Sequence, residues 1–202
     1  MARVEKATDW PTSADRGDGI HLAETRHEKP SPYPLHRHAV HEFTLILEGK
    51  GRLRRGGKSW PLARYDLLYL PPGAAHQLLD DESDFLTRYT LFFRAEILPP
   101  ATVPLLAALE KQFLGRGPLA LSREPDLHAI LDPFRRVAGE LAGKRPGRLA
   151  ALATQLSQLI HSVHRASLAD REKPQRGAES RVRARLPLLR QKLRGRIDLD
   201  EA

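Results

Sequence analysis

As far as Leu98-Pro99-Pro100 the apolar residues fall in short runs bounded by glycine, proline and charge; beyond it they recur every three or four positions. The first pattern predicts strands and the second helices. Gly19 to Glu28 alternates weakly before Lys29-Pro30 and reads as a first strand. Ser31 to Gly51, SPYPLHRHAVHEFTLILEGKG, contains an apolar, β-branched and aromatic run closed by Gly49, a second strand. Two further runs are joined by Arg55-Gly56-Gly57-Lys58, where paired glycines supply the positive φ of a tight hairpin. Asp66 to Leu70 is another strand, stopped by Pro71-Pro72. A short strand opens at His76, and Phe85 to Phe93 is apolar and aromatic enough for a central position. Roughly seven or eight short strands at this spacing predict a barrel or sandwich.

The second half predicts three helices. Leu105, Leu106, Leu109 and Phe113 form one stripe, ended by Gly115 to Gly117. A second helix starts near Ser122 or Pro125 and carries Leu127, Ile130, Phe134, Val137 and Leu141, with Pro133 a kink position. A third follows Gly147 with Leu149, Leu152, Leu156, Leu159 and Val163 at the same 3, 4, 3, 4 spacing. Two such seams can pair within one chain or with the same helices of a second chain. A homodimer through Leu149, Leu152, Leu156, Leu159 and Val163 is the expectation, because one small barrel has limited surface on which to bury both. Residues 1–18 read as a polar arm, 19–98 as the barrel, 99–169 as the helical dimerisation region and 170–180 as a charged linker with Pro174 and Gly177. A last helix begins at Arg181, with Val182, Leu186, Leu189 and Leu193 opposite an arginine face.

Composition narrows the possibilities. The absence of cysteine from all 202 residues excludes disulfides, zinc knuckles and thiol catalysis. No apolar run approaches the ~20 residues of a bilayer span and the N-terminus lacks a signal-like stretch, so a soluble, cytoplasmic protein is expected. The net charge of +8 is concentrated: residues 171–196 hold 10 Lys and Arg against 2 Asp and Glu, while residues 1–170 hold 23 against 20 and the last six 0 against 3. A basic segment of this kind is the electrostatic footprint of a nucleic-acid contact or a solvated helix face.

The candidate chemistry lies in the second strand. His36, His38 and Glu42 share one parity and would project to one face of an unbroken strand, with Thr44 and Ile46 beyond them. Two imidazoles and a carboxylate suit a divalent metal, and they equally suit a hydroxyl-rich small molecule. His76, after the Pro71-Pro72-Gly73 turn, is a fourth candidate; Arg88 and Thr90 are further pocket neighbours.

His-x-His-x3-Glu-x6-Gly followed by Pro-x-Gly-x2-His resembles the two motifs of the cupin superfamily. The resemblance implies a cupin-like β-barrel (jelly roll) with His36, His38, Glu42 and His76 forming a site inside it. Two motif positions depart from the pattern: Pro30 and Tyr65 stand where glycines are usual. A cupin-like barrel, paired helices, a polar linker and an arginine-rich helix together resemble the AraC-type transcription regulators, whose sensing and dimerising domain precedes a DNA-binding domain of two helix-turn-helix units. Arg181 to Ala202 is similar to the start of that second domain, so specific DNA binding is expected to need helices following residue 202. The resemblance implies a carbohydrate effector such as rhamnose, bound at His36, His38, Glu42, Thr44, His76 and Arg88, with no cofactor required and divalent metal at most partly occupying the histidines and Glu42. It also implies a protein that is not an enzyme. A metal-dependent cupin enzyme, an isomerase or dioxygenase, is the alternative.

Overall fold

The computed structural model describes residues 8–9, 18–26, 34–113 and 115–171. The readings made for most of the arm, for the linker beyond Arg171 and for the basic segment lie outside the described residues. Among the described residues, ten strands form two five-stranded sheets. One sheet has the order β1 (Thr8–Asp9), β3 (His36–Arg37), β8 (His76–Asp80), β5 (Gly51–Arg55), β6 (Lys58–Leu62). The other has the order β10 (Leu119–Ala120), β7 (Asp66–Leu70), β4 (His41–Glu48), β9 (Thr87–Phe93), β2 (Ile20–Arg26). Every pairing is antiparallel except that of β1 with β3. Three α-helices are described after them: α1 (Val103–Phe113), α2 (Glu124–Ala142) and α3 (Arg148–Arg171). This is the β-rich architecture with C-terminal helices that the hydrophobic pattern predicts.

The sheets face each other across a core of Ile46, Leu53, Leu62, Leu68, Leu70, Leu78 and Leu86, with Trp60 at its edge. The hairpin between β5 and β6 turns on Gly56 and Gly57 at φ of 55° and 73°, the left-handed pair a two-residue loop requires. The loop between β6 and β7 is less ordinary. Tyr65 there has a φ of 66°, the one non-glycine residue described with positive φ, and it occupies the position where the cupin motif has glycine. Left-handed backbone costs a side-chain-bearing residue roughly 1–2 kcal/mol. Opposing that cost, the Tyr65 ring is buried under the Arg64 guanidinium, 4.6 Å from its centroid, and its backbone is held by bonds from its N–H to the Ile46 carbonyl (2.7 Å) and from the Leu121 N–H to its own carbonyl (3.0 Å).

A second and larger core lies on the outer face of the sheet containing β4. Phe43, Leu45, Leu67, Tyr69, Leu91 and Phe93 point away from the barrel interior and meet Leu106, Leu109 and Phe113 of α1, Ile130, Phe134 and Val137 of α2, and Leu152, Leu156, Leu159, Ile160 and Val163 of α3. The two-residue β10, from the α1–α2 connection, pairs with β7 and stitches this layer to the sheet. Arg55 adds a polar tether: its guanidinium donates to the carbonyls of Tyr69, Phe113 and Arg116 and so covers the C-terminal end of α1. Helix α2 runs without interruption through Pro133, which is buried.

The expectation of a dimer seam on the third helix is corrected here. Leu152, Leu156, Leu159 and Val163 are at most 1% exposed within a single chain, and Leu149 alone of the five is exposed, at 55%. The outer sheet face, invisible to a helix-by-helix reading, supplies the apolar surface that the seam needs. No helix among the described residues is long and apolar enough to cross a membrane.

Candidate metal centre

The run from Ser31 to Gly51 is not one strand. β3 lies in one sheet and β4 in the other, with a corner over His38, Ala39 and Val40 between them. The parity argument for His36, His38 and Glu42 therefore fails, since it needs a continuous pleat. The corner itself brings His38 onto Glu42: His38 Nε2 is 2.8 Å from Glu42 Oε2, and its Nδ1 is 2.8 Å from the Val40 carbonyl. His76 arrives from the Pro71–Ala74 turn, which is tied to the same corner by a 2.8 Å bond from the Gly73 N–H to the His38 carbonyl. Its Nδ1 lies 2.8 Å from the Ala74 carbonyl and its Nε2 3.6 Å from Glu42 Oε2. One ligand atom from each of His38, Glu42 and His76 lies within 4.8 Å of the others, and the three side chains are buried.

Carbonyl oxygens only accept hydrogen bonds, so each Nδ1 must carry a proton; the 2.8 Å hydrogen bond from His38 Nε2 to Glu42 Oε2 then needs a second proton on His38, while a neutral His76 turns its Nε2 lone pair towards Glu42. The other carboxylate oxygen, Oε1, accepts from the Thr44 hydroxyl at 2.6 Å, and Thr44 Oγ1 is 3.3 Å from Thr90 Oγ1. Phe92 closes one side, its ring edge-on to His38 with centroids 5.4 Å apart. Burial pushes the Glu42 carboxyl up, but the His38 hydrogen bond, the charges of His76 and His38 and the Thr44 hydroxyl outweigh it and hold the group at about 2. Burial pushes His76 down to about 4 against the pull of Glu42. The site thus holds an ionised carboxylate beside a neutral imidazole at pH 7. Nε2 of both rings and Oε2 lie close enough together to serve one divalent cation, which would displace the proton of the His38–Glu42 hydrogen bond, and the outer partners already orient every ligand.

The other candidates are placed differently. His36 sits directly opposite His76 in the β3–β8 register, ring centroids 4.3 Å apart, and is outside the three-residue cluster. The register sets Thr44 against Thr90, Ile46 against Arg88 and Glu42 against Phe92, so all six face the barrel interior. Arg88 is buried, but at four residues from the Glu42 level it lies roughly 13 Å along the strands from the cluster. Sequence reasoning passed over Phe92, although it shares its parity with Arg88 and Thr90. His21 is half-buried opposite Phe92.

The neutral imidazoles make the fold acid-sensitive. His41, on the helix-facing side of β4 and stacked on Phe93, is pushed to about 4 by burial, against the charge of Glu96. His76 and His41 stay uncharged in the fold but protonate in the unfolded chain below about 6.5, so stability falls as pH drops from 6.5 towards 4. Glu42 extends the loss from 4.5 towards 2. Each difference is worth on the order of 3 kcal/mol when fully developed. Urea midpoints should decline from about pH 7.5 to about pH 4.5; a flat profile would show that the imidazoles are not held neutral.

Residues 27–88 match the Cupin_2 family, a cupin domain. A cupin protein from Bacteroides fragilis is 21% identical, over 40% of this chain and 68% of its own, with a TM-score of 0.34. A cupin 2 conserved barrel domain protein from Salinispora arenicola is 19% identical over 50% of this chain and 95% of its own, with a TM-score of 0.30. Oxalate decarboxylase from Bacillus subtilis is 20% identical, over 39% of this chain and 22% of its own, with a TM-score of 0.32, so the chain spans under a quarter of that protein. No curated protein is matched by the sequence. The two sheets and their motif-bearing strands form a cupin-like β-sandwich, followed by three helices.

Proposed function

We propose that this cupin-like barrel binds a divalent metal ion through His38, Glu42 and His76 and reads an oxygen-rich small molecule, such as a sugar, beside it. On this reading the chain is the effector-sensing part of an AraC-type transcription regulator. The observation that carries the metal is the convergence of two tautomer-fixed imidazoles on one buried carboxylate oxygen. A bound divalent ion would supply Lewis-acid attraction for oxygen atoms of the small molecule. The chain's own groups do the rest: Glu42 offsets charge, Thr44 holds the carboxylate's second oxygen, and Phe92 gives the pocket an apolar wall. Support for sensing comes from β4, which lines the pocket with Glu42 and Thr44 and beds the helices with Phe43 and Leu45, and from the +8 segment that follows those helices. A homodimer in this scheme would use surface other than the α3 seam.

A metal-dependent enzyme is the second reading, favoured by the same cluster, because a metal held by three side chains keeps positions for substrate. Elemental analysis of untagged protein should find near-stoichiometric divalent metal that survives dialysis and is lost from a His38→Ala, His76→Ala variant. Thr44→Val should weaken affinity by about 10- to 100-fold. A saturating sugar, at about 100 times its Kd, should add roughly 2.7 kcal/mol and raise Tm by about 5–10 °C. Sugar recovered unchanged, as read by NMR, supports the sensor, and sugar recovered altered makes the enzyme the better reading. Metal-free protein would defeat the metal centre.

A further inference from the structure

We infer that Arg55 is a latch through which the pocket end of the barrel governs the end of α3, where the chain passes into its basic segment. Arg55 is the last residue of β5 and stands directly opposite His76 in the β5–β8 register. Its guanidinium leaves the sheet and donates to three main-chain carbonyls: Tyr69 of β7 at 3.3 Å, Arg116 at 2.8 Å, and Phe113, the last residue of α1. The Phe113 carbonyl also accepts from the Arg116 N–H at 3.2 Å, so one side chain gathers the final turn of α1 and the loop after it. The planar fork of arginine suits such a hub, where a lysine ammonium would act as a single point.

A second contact closes the same joint. Trp60, across the hairpin on β6, has its ring 5.7 Å from the Arg55 guanidinium carbon, and it lies so near Gly117 that a Cβ there would stand 2.4 Å from the indole. On its other side the final turn of α1 is fastened to α3, for the Gln112 side chain accepts from the buried Ser167 hydroxyl. His76, Arg55, the Phe113 carbonyl, Gln112 and Ser167 thus run in succession from the pocket to the last turns of α3. Burial disfavours the charge of Arg55, and its bonds offset this with neutral carbonyls. Drawing the carbonyls away would leave a half-buried cation under-bonded, so the joint holds or lets go as a unit. That an occupant of the pocket works the latch rests on the metal-binding reading; the latch itself stands on these contacts.

Amide hydrogen exchange on the metal-free chain tests it. Arg55→Gln should speed exchange in the final turn of α1 and at residues 115–117 by about tenfold or more, and in the last two turns of α3 severalfold, while β4 and β9 exchange as in wild type. Gly117→Ala, which strains the joint from the Trp60 side, should give the same pattern and stands in should Arg55→Gln not fold. His76→Ala should alter exchange in the last turns of α3 when Arg55 is present and leave it unaltered in the Arg55→Gln background, a double-mutant cycle that needs no metal. Unchanged exchange at the end of α3 in both joint variants, or exchange raised equally throughout the chain, overturns the latch. Cobalt(II), with calorimetry to read binding, then separates the two readings. Cobalt that binds wild type and leaves the end of α3 unchanged overturns the latch and spares the metal centre, whereas a failure to bind overturns the metal centre and leaves the latch to the mutant cycle.

Discussion

Gly49→Ala should leave the chain unable to hold its native barrel. A Cβ at this position would stand 2.0 Å from the Phe85 carbonyl oxygen, 2.5 Å from the Phe85 carbonyl carbon and 2.9 Å from the Asp84 oxygen, and φ is +82°. All three obstacles are backbone, and the neighbouring Lys50 N–H already donates to the Asp84 carbonyl at 2.8 Å, so the segment entering β9 cannot swing aside. The expected loss exceeds roughly 4 kcal/mol, a large share of the ~5–15 kcal/mol that stabilises a typical domain, and corresponds to a Tm drop of about 10 °C or more. Gly56→Ala is the natural control. It too has positive φ, +55°, but a Cβ there meets open space, so it should cost only the ~1–2 kcal/mol of left-handed backbone. Equal effects for the two variants in thermal denaturation would show that the Phe85 segment yields.

Leu159→Glu should collapse the helical layer and not release a folded monomer. Leu159 is fully buried among residues of the sheet and helices, and an unpaired carboxylate there costs several kcal/mol beyond the lost packing. Leu149→Glu, at 55% exposure on the same helix, should change stability by less than about 0.5 kcal/mol. Circular dichroism at helical and aromatic wavelengths together with sedimentation equilibrium separates the cases. A well-folded monomeric Leu159→Glu variant derived from a dimeric wild type would reinstate the seam as a contact between chains.

Local signals made much of this fold legible. The paired glycines at 56–57 specify a two-residue turn whatever surrounds them, and Asp66 to Leu70 is bounded as read because a double proline stops the strand. Apolar residues three and four apart located all three helices, in a strict 3, 4, 3, 4 order for the second and third. Their partner was harder to see, yet it had a signal: DLLYL of β7 is apolar at four successive positions and buried at all five, as a strand covered on both faces must be. The corner at 38–40 had none. Whether a chain continues in one sheet or crosses to the other depends on closure of the whole barrel, and two residues of β3 are too few to mark a boundary. The spacing thus picked out His38, Glu42 and His76, which do come together, while assuming a continuous strand that the chain does not form. The carbonyls of Val40 and Ala74 that orient the rings carry no side-chain signature at all.

The strand β4 is enclosed from Glu42 to Ile46, with no residue in that stretch facing solvent. Consecutive residues there serve two compartments, Glu42 and Thr44 the barrel interior, Phe43 and Leu45 the helix bed. The partition between the barrel interior and the helices is therefore a single peptide layer. A backbone shift at Glu42 would press the Phe43 ring against Tyr69 and Phe93, whose centroids lie 5.0 and 5.6 Å away, and Tyr69 in turn lies 5.8 Å from Phe113 of α1. In mechanical terms β4 is a diaphragm: displacement on one side is displacement on the other.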